Sequence, residues 1–437
     1  MKNERPLSLG VIFLTLYIDL IGFSIIFPIV PNVIGYYLQI EGRSGLLGWL
    51  LSRSDAAARA FGQDHAFSAV LIGGVLTSVY AILQFVFAPF WGSLSDRRGR
   101  RGILMRTVAG TALGYFLWFV SGSFWMFVVS RVVSGAFSGN LSVATAAVAD
   151  VTTRAERSRA MGIVGAAFGL GLVTGPMLGG LSVAPVFNLL RHHPGLARFG
   201  VNPFSVPALL SFAACSLNFF WVRAKFRETL PEAARTGARE ARLRNPIRAI
   251  LMLDNKPVRR ANIVAFVFSV AFVAMETSIT FLAVERFGYT AVQNGWMLTF
   301  LGVVSVLTQG YIVRKLLTKM EEIPVLSWGL VLSAAGLLLI AVAWRSWVLY
   351  AGLAVLATGS GLVNPSTTGL ISLYSEPSEQ GRVLGIYRSL GSLSRAITPL
   401  LAGVVFWAFG SRMVFIASAV IAAGALALTV RLPKPAK

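Results

Sequence analysis

Apolar runs of about 20 residues follow one another along most of the chain, separated by short polar turns rich in glycine and arginine. Each run is long enough to cross a hydrocarbon core as an α-helix. Strands of a membrane barrel would read instead as short alternating segments, a pattern that is missing here. The first six predicted helices cover residues 8–37, 68–91, 102–120, 123–149, 158–183 and 205–224. Six more cover 259–285, 291–314, 323–343, 347–373, 380–408 and 411–431. Between the sets lies one long polar stretch, 225–258, with Arg235, Arg239, Arg242, Arg244 and Arg248. The layout is an all-α membrane protein of 12 transmembrane helices, with six-helix halves at 1–224 and 259–437 and a basic linker between them. Such a layout is what a duplicated unit produces.

Composition agrees with this reading. Of 437 residues, 55% are hydrophobic and 13% charged, where a soluble domain carries about 25% charged residues. The formal net charge of +21 would point to nucleic acid in a soluble chain. Here most Lys and Arg fall in segments that an N-terminus-inside topology keeps cytoplasmic. The basicity therefore reads as orientation in a lipid bilayer, with both termini inside, and nucleic acid is not an expected partner. A lone cysteine, Cys215, excludes a disulfide framework. The first apolar run has a short basic leader, Lys2 and Arg5, but carries Asp19 and no small-residue cleavage site, so it reads as a retained helix. Two outer segments exceed what a bundle needs. In 39–66, Leu46, Leu47, Trp49, Leu50 and Leu51 precede polar residues, which reads as a short helix on the membrane surface or as a loop. In 183–204, Arg191, His192, His193 and Arg198 gather, but adjacent histidines cannot both face one metal from a helix, and no metal site is expected.

Two motifs stand out. Between helices 2 and 3 runs Gly92-Ser-Leu-Ser-Asp96-Arg97-Arg98-Gly99-Arg100-Arg101. It reads as a tight, glycine-bounded turn with one acid among arginines. Inner-surface anchoring explains the arginines but neither the acid nor the glycines. An acid there can pair with an arginine or cap a helix N-terminus, a contact that breaks when two halves rock and so latches one conformation. In helix 5, Gly162, Gly171, Gly175, Pro176, Gly179 and Gly180 leave a flat face for another backbone, and Pro176 removes a helix hydrogen bond.

The first motif resembles the loop signature of the major facilitator superfamily, and the second is similar to the helix-5 signature of its drug/proton antiporters. Arg131-Val-Val-Ser-Gly135 followed by Gly139 resembles the family's helix-4 arginine motif, with Ser134 where Gln is frequent. Asp19, Gly22, Pro28 and Pro31 are similar to helix 1 of the tetracycline-efflux group, and Asp150 with Arg157 to Gly162 to its loop after helix 4. Met275-Glu276-Thr277, Gln309-Gly310 and Gly385 to Pro399 with Arg388 resemble its bacterial members. The loop Arg314 to Lys319 departs from the pattern, lacking the Asp and Gly of a second loop motif. The resemblance implies the major facilitator fold and a bacterial inner-membrane location. It also implies a latch of Gly92, Asp96, Arg97, Gly99, Arg100, Arg101, Asp150 and Arg388.

Few ionisable residues lie away from the membrane surfaces: Asp19, Arg131, Glu276, Arg395 and, nearer the inner end of helix 11, Arg388. A charge at the bilayer centre costs about 2.5–3.5 kcal/mol, so each is expected to pair or to face a wet cavity. Asp19 and Arg131 are expected to approach each other. Protonation of Asp19 would release Arg131, and a cationic or polar substrate could compete for the carboxylate. Glu276 is the alternative coupling acid. Gln84, Asn140, Gln309, Asn364 and Arg395 are candidate contacts in a substrate cavity, each amide equally readable as an interhelical hydrogen bond. The expected function is a monomeric, proton-coupled antiporter exporting small amphipathic or drug-like compounds by alternating access, with no cofactor beyond the proton gradient. A nutrient importer on the same fold is the alternative. An embedded enzyme is not expected: no catalytic or phosphate-binding motif occurs in a credible context, and the three histidines, His65, His192 and His193, lie in outer segments.

Overall fold

The computed structural model describes residues 9–42, 44–60, 68–152, 157–232, 235, 250–251, 253–376 and 379–435. The linker residues Arg239, Arg242, Arg244 and Arg248, and His65, lie outside the described residues. Among the described residues every regular element is a helix. In chain order these are α1 (Leu9–Ser24), α2 (Val30–Glu41), α3 (Gly45–Ala60), α4 (Ser68–Arg98), α5 (Arg100–Phe119), α6 (Phe124–Phe137), α7 (Asn140–Val151) and α8 (Arg157–Ser182). They continue with α9 (Leu189–His192), α10 (Ser205–Lys225), α11 (Lys256–Phe287), α12 (Ala291–Leu317), α13 (Glu322–Ala341), α14 (Ser346–Leu373), α15 (Gln380–Phe409) and α16 (Ser411–Thr429). Among the described residues 11 helices, with α6 and α7 taken as one, are long and apolar enough to cross a membrane, and α1 is a shorter apolar helix.

Three local differences from the sequence reading have physical causes. The expected helix 8–37 divides into α1 and α2 at a turn over Ile25–Ile29. A proline ring clashes with the carbonyl four residues before it. Around Pro28 the chain tightens accordingly, the Phe27 amide donating to Ser24 at 3.1 Å and the Ile29 amide to Ile26 at 3.0 Å. The expected helix 123–149 is cut into α6 and α7 at Ser138 and Gly139. Trp91 fills the cut: its indole N–H donates to the Ala136 carbonyl at 2.7 Å, and a Cβ on Gly139 would lie 2.6 Å from the Trp91 side chain. Helix α4 runs on through Gly92 to Arg98, so the turn before α5 is the single residue Gly99, at φ +92°. The glycine-bounded turn is thus corrected to a helix ending on one left-handed glycine. The outer segment 39–66 contains helix α3, with Leu47 and Leu51 buried and Trp49 54% exposed.

The chain divides into two compact units. The first comprises Met1–Leu50, Val79–Ala241 and Thr290–Thr299. Within it α8 packs along α1, and α5 packs against both α6 and α10. The helix-5 glycines explain the first of these contacts. A Cβ on Gly171 would lie 2.5 Å from Leu20, one on Gly175 would collide with the Ser24 hydroxyl, and one on Gly179 with the Ile25 carbonyl. The Ser24 hydroxyl donates to the Gly171 carbonyl at 3.0 Å. Gly180 packs against Gly295, at 2.8 Å from a Cβ on Gly180 to the Gly295 Cα. One end of this unit is tied by Tyr37 and Asn202, which donate to the Ser121 carbonyl at 2.6 and 2.9 Å. There Glu41 accepts the Phe124 amide at the start of α6, at 2.6 Å.

The second unit comprises Leu51–Ser78, Arg242–Tyr289 and Phe300–Lys437. Helices α13 and α14 form its tightest pair. Gly329, Gly336, Gly352 and Gly359 lie in their seam, where an added Cβ at each would come within 3.0 Å of the opposite helix. Val264 and Phe268 of α11, Leu330 of α13, Leu370 of α14 and Leu390 of α15 build the core.

Enlarging Gly175 should overpack the α1–α8 contact. Gly175→Val is expected to destabilise by about 1–3 kcal/mol, read as a lower thermal midpoint in detergent. Gly165→Ala, on the same helix with nothing near its Cβ position, should leave the midpoint unchanged.

Candidate functional site

The interior charges of the first unit collect where α6 is cut from α7. Asp19, half-buried on α1, accepts a hydrogen bond from the Asn140 amide at 2.6 Å. Asn140 is the first residue of α7 and is 1% exposed, and its own amide oxygen has no hydrogen-bond partner. Two residues earlier, the Ser138 hydroxyl accepts from Gln84 at 2.6 Å and from Tyr80 at 3.2 Å. At the helix break the Asn140 amide and the Ser138 hydroxyl thus face neighbouring helices, and α1 and α4 supply their partners. Tyr80, Tyr115 and Cys215 lie within electrostatic reach of the Asp19 carboxylate. Tyr115 abuts Gly22, where a Cβ would meet its ring.

Arg131 departs from expectation. Among the described residues it forms no ion pair with Asp19, whose carboxylate goes to Asn140 instead. The guanidinium is 5% exposed and lies 4.7 Å from the Trp118 ring, 5.7 Å from Phe127 and 5.9 Å from Tyr115. Aromatic faces attract a cation through their quadrupoles, most strongly when water is excluded. Its Nε and Nη2, the Trp118 indole N–H and the Ser134 hydroxyl have no hydrogen-bond partner.

In the second unit Glu276 on α11 is half-buried, and Arg395 on α15 is the cation within its electrostatic reach. Gln309 is exposed in a wide, π-helical turn of α12 over Thr308–Ile312. Asn364 is exposed on α14 directly before Pro365, its carbonyl accepting from the Thr368 hydroxyl at 2.8 Å. Arg388 is exposed near the start of α15.

At one end of the first unit the arginine motif closes around one buried residue. Arg100 is 5% exposed; it donates to Asp96, to the Ser95 hydroxyl at 2.7 Å and to Asp150 at 2.9 Å. Asp150 also accepts from the Thr229 hydroxyl at 3.0 Å. Glu228, just beyond α10, accepts the Arg100 and Arg101 amides at 2.8 and 3.2 Å. Its carboxylate occupies the place a Gly99 side chain would fill. Arg101 donates to the Arg223 carbonyl at 2.6 Å, and Arg97 is exposed. Glu228 and Thr229 were absent from the sequence reading. The available signal was an α5 that starts on Gly99 and two arginines with no capping side chain, an N-terminus that has to borrow an acceptor from elsewhere.

These arrangements define a polytopic helical membrane protein with acids and arginines placed inside two helical units and a charged clasp at one end. The Major Facilitator Superfamily profile matches residues 12–324 and 312–437. The chain belongs to the major facilitator superfamily, a family of transporters. It is 31% identical to "Major facilitator superfamily domain-containing protein 10" of Mus musculus over 94% of this chain and 90% of the relative. It is 26% identical to "Tetracycline resistance protein, class B" of Escherichia coli, over 93% of this chain and 89% of the relative. The crystal structure of the human organic anion transporter MFSD10 (TETRAN) superposes with a TM-score of 0.74 at 27% identity, covering 96% of this chain and 98% of that one.

Removing the borrowed cap should loosen the start of α5. Glu228→Ala is expected to lose about 1 kcal/mol there, seen as roughly fivefold faster hydrogen exchange at the Arg100 and Arg101 amides. Unchanged exchange at those two amides would show that the cap contributes nothing.

Proposed function

We propose that the chain is a proton-coupled antiporter that exports small amphipathic compounds by alternating access. The observation that carries this reading is Asp19, an acid held inside the helical unit by one neutral amide and paired with no cation among the described residues. Such an acid can bind a proton or a solute but not both, and competition for one site is what makes exchange obligatory. A proton entering down its gradient neutralises Asp19 and releases the solute outward; Glu276 offers a second acid for the same cycle. The tetracycline-resistance relatives support export. On this reading the protein works as a monomer with both termini in the cytoplasm and the proton gradient as its energy source. The bacterial inner membrane is its proposed site, although its relatives come from mammals as well as bacteria.

The guanidinium of Arg131 favours one refinement. A buried cation without an anion on any described residue offers its charge to a solute that brings one. The printed title of the human relative, an organic anion transporter, points the same way. A solute that carries both a carboxylate for Arg131 and a hydrogen-bond donor or cationic group to contest Asp19 fits the two sites together.

The test is transport in sealed proteoliposomes with an imposed pH gradient, using tetracycline and carboxyfluorescein as probes. Asp19→Asn is expected to lower gradient-driven flux at least about tenfold while leaving passive binding measurable, and Arg131→Gln to weaken carboxyfluorescein transport more than tetracycline transport. Gradient-driven flux that survives Asp19→Asn undiminished would sink the coupling assignment. Flux directed inward against the gradient would favour the importer.

A further inference from the structure

We propose that Asn140 is the positioning residue that reads the charge on Asp19, and that α7 carries this reading as a rod to the contact between Asp150 and Arg100. The inference rests on Asp19 being the proton-exchanging acid.

Helix α7 is cut off at both ends. Before it, Ser138 and Gly139 leave helical geometry, Ser138 at φ −74° and ψ 57°; after it, Thr152 is extended at φ −117° and ψ 138°. Its polar contacts to other elements sit at those ends. Asn140 holds Asp19 at 2.6 Å, and Asp150 holds Arg100 at 2.9 Å and Thr229 at 3.0 Å. Between them the buried face is Val143, Ala144, Ala147 and Val148, and Thr145 bonds only within its own helix. That face is smooth and small. Ten residues of helix separate the two contacts, a stiff span of about 15 Å.

The chemistry at the Asn140 end is asymmetric. An ionised carboxylate only accepts, so it takes the amide N–H it is given. A protonated carboxyl also donates and needs an acceptor. The Asn140 amide oxygen is buried and unpartnered, the acceptor that a protonated Asp19 calls for. Either the amide turns over or the end of α7 shifts; both alter the first turn of the rod. The cut before α7 lets it do so while Arg131 keeps its aromatic seat on α6. Packed interiors switch between discrete arrangements and do not deform continuously, so a small shift at one end reaches the other. The groups facing Asp19 are Tyr80 of α4, Tyr115 of α5 and Cys215 of α10; Arg131 of α6 acts on the same two tyrosines, and α8 presents Gly171 against Leu20 and Tyr17 of α1.

The experiment uses the full chain in lipid nanodiscs, with Cys215→Ser and a fluorophore sensitive to its surroundings on Thr152→Cys. Emission is followed from mildly acidic to mildly basic pH. The parent should show one titration, Asp19→Asn should abolish it, and Asn140→Ala should reduce its amplitude at least about threefold. Ala144→Gly with Ala147→Gly softens the rod without touching either end and should reduce the amplitude likewise. Hydrogen exchange over residues 141–151, with the label absent, provides the second readout and shows whether each variant is folded. A titration lost in Asp19→Asn but intact in Asn140→Ala and in the double glycine variant overturns the relay while leaving the acid assignment standing. A titration that persists in Asp19→Asn overturns both.

Discussion

An ionised side chain at hydrocarbon depth has no water to solvate it, so the protein has to supply every partner. This one constraint explains much of the first unit. Asp19 is answered by an amide, Arg131 by three aromatic rings, and neither by the other. The two solutions differ in kind. A ring face stabilises a cation permanently and cannot be displaced by a proton. A single neutral donor is replaceable, and it leaves the carboxylate open to chemistry.

The same constraint accounts for the break in helix 4. Polar groups at the break would be intolerable against lipid, and α4 covers them: Trp91 takes the Ala136 carbonyl, and Gln84 and Tyr80 donate to the Ser138 hydroxyl. That closeness needs Gly139, whose missing side chain leaves room for Trp91. Small residues recur wherever two helices must meet: Gly171, Gly175 and Gly179 against α1, and the four glycines between α13 and α14. Glycine spacing thus sets which helices touch, and the polar residues placed at those contacts set what the unit can bind.

Most of the fold was legible in the sequence because hydrophobic length is a strong signal. The helix ends at 205 and 225, 291, 322 and 409 fall within one or two residues of expectation. The helix-5 glycines likewise announced a close approach, though not the partner helix. What stayed hidden was non-local or depended on local strain. Pro28 and Pro31 could bend a helix or divide it, and only the packing around Ser24 decides. Nothing in Ser138-Gly139 marks a cut, because both residues are common inside membrane helices. Pairing Asp19 with Arg131 was the natural guess for two opposite charges, yet Trp118 and Phe127 compete for the cation and Asn140 for the anion. Glu228 lies far along the chain from Arg100, and no periodicity links a residue after one helix to the uncapped start of another.

The arginines around Gly99 show how one composition serves two ends. Arg97, Arg98, Arg101 and Arg223 are exposed. Arg100 differs from them only in being buried, and burial changes its role. A guanidinium that is 5% exposed and bound by Asp96 and Asp150 loses a charge-assisted bond if either carboxylate moves, and an unpaired buried charge is costly. Such a clasp is therefore either closed or open, with little stability between. An exposed arginine in the same loop could rotate into water at almost no cost and would hold nothing. The all-or-none character of this clasp thus follows from the burial of one arginine, while Glu228, seated where a Gly99 side chain would be, caps the backbone beside it.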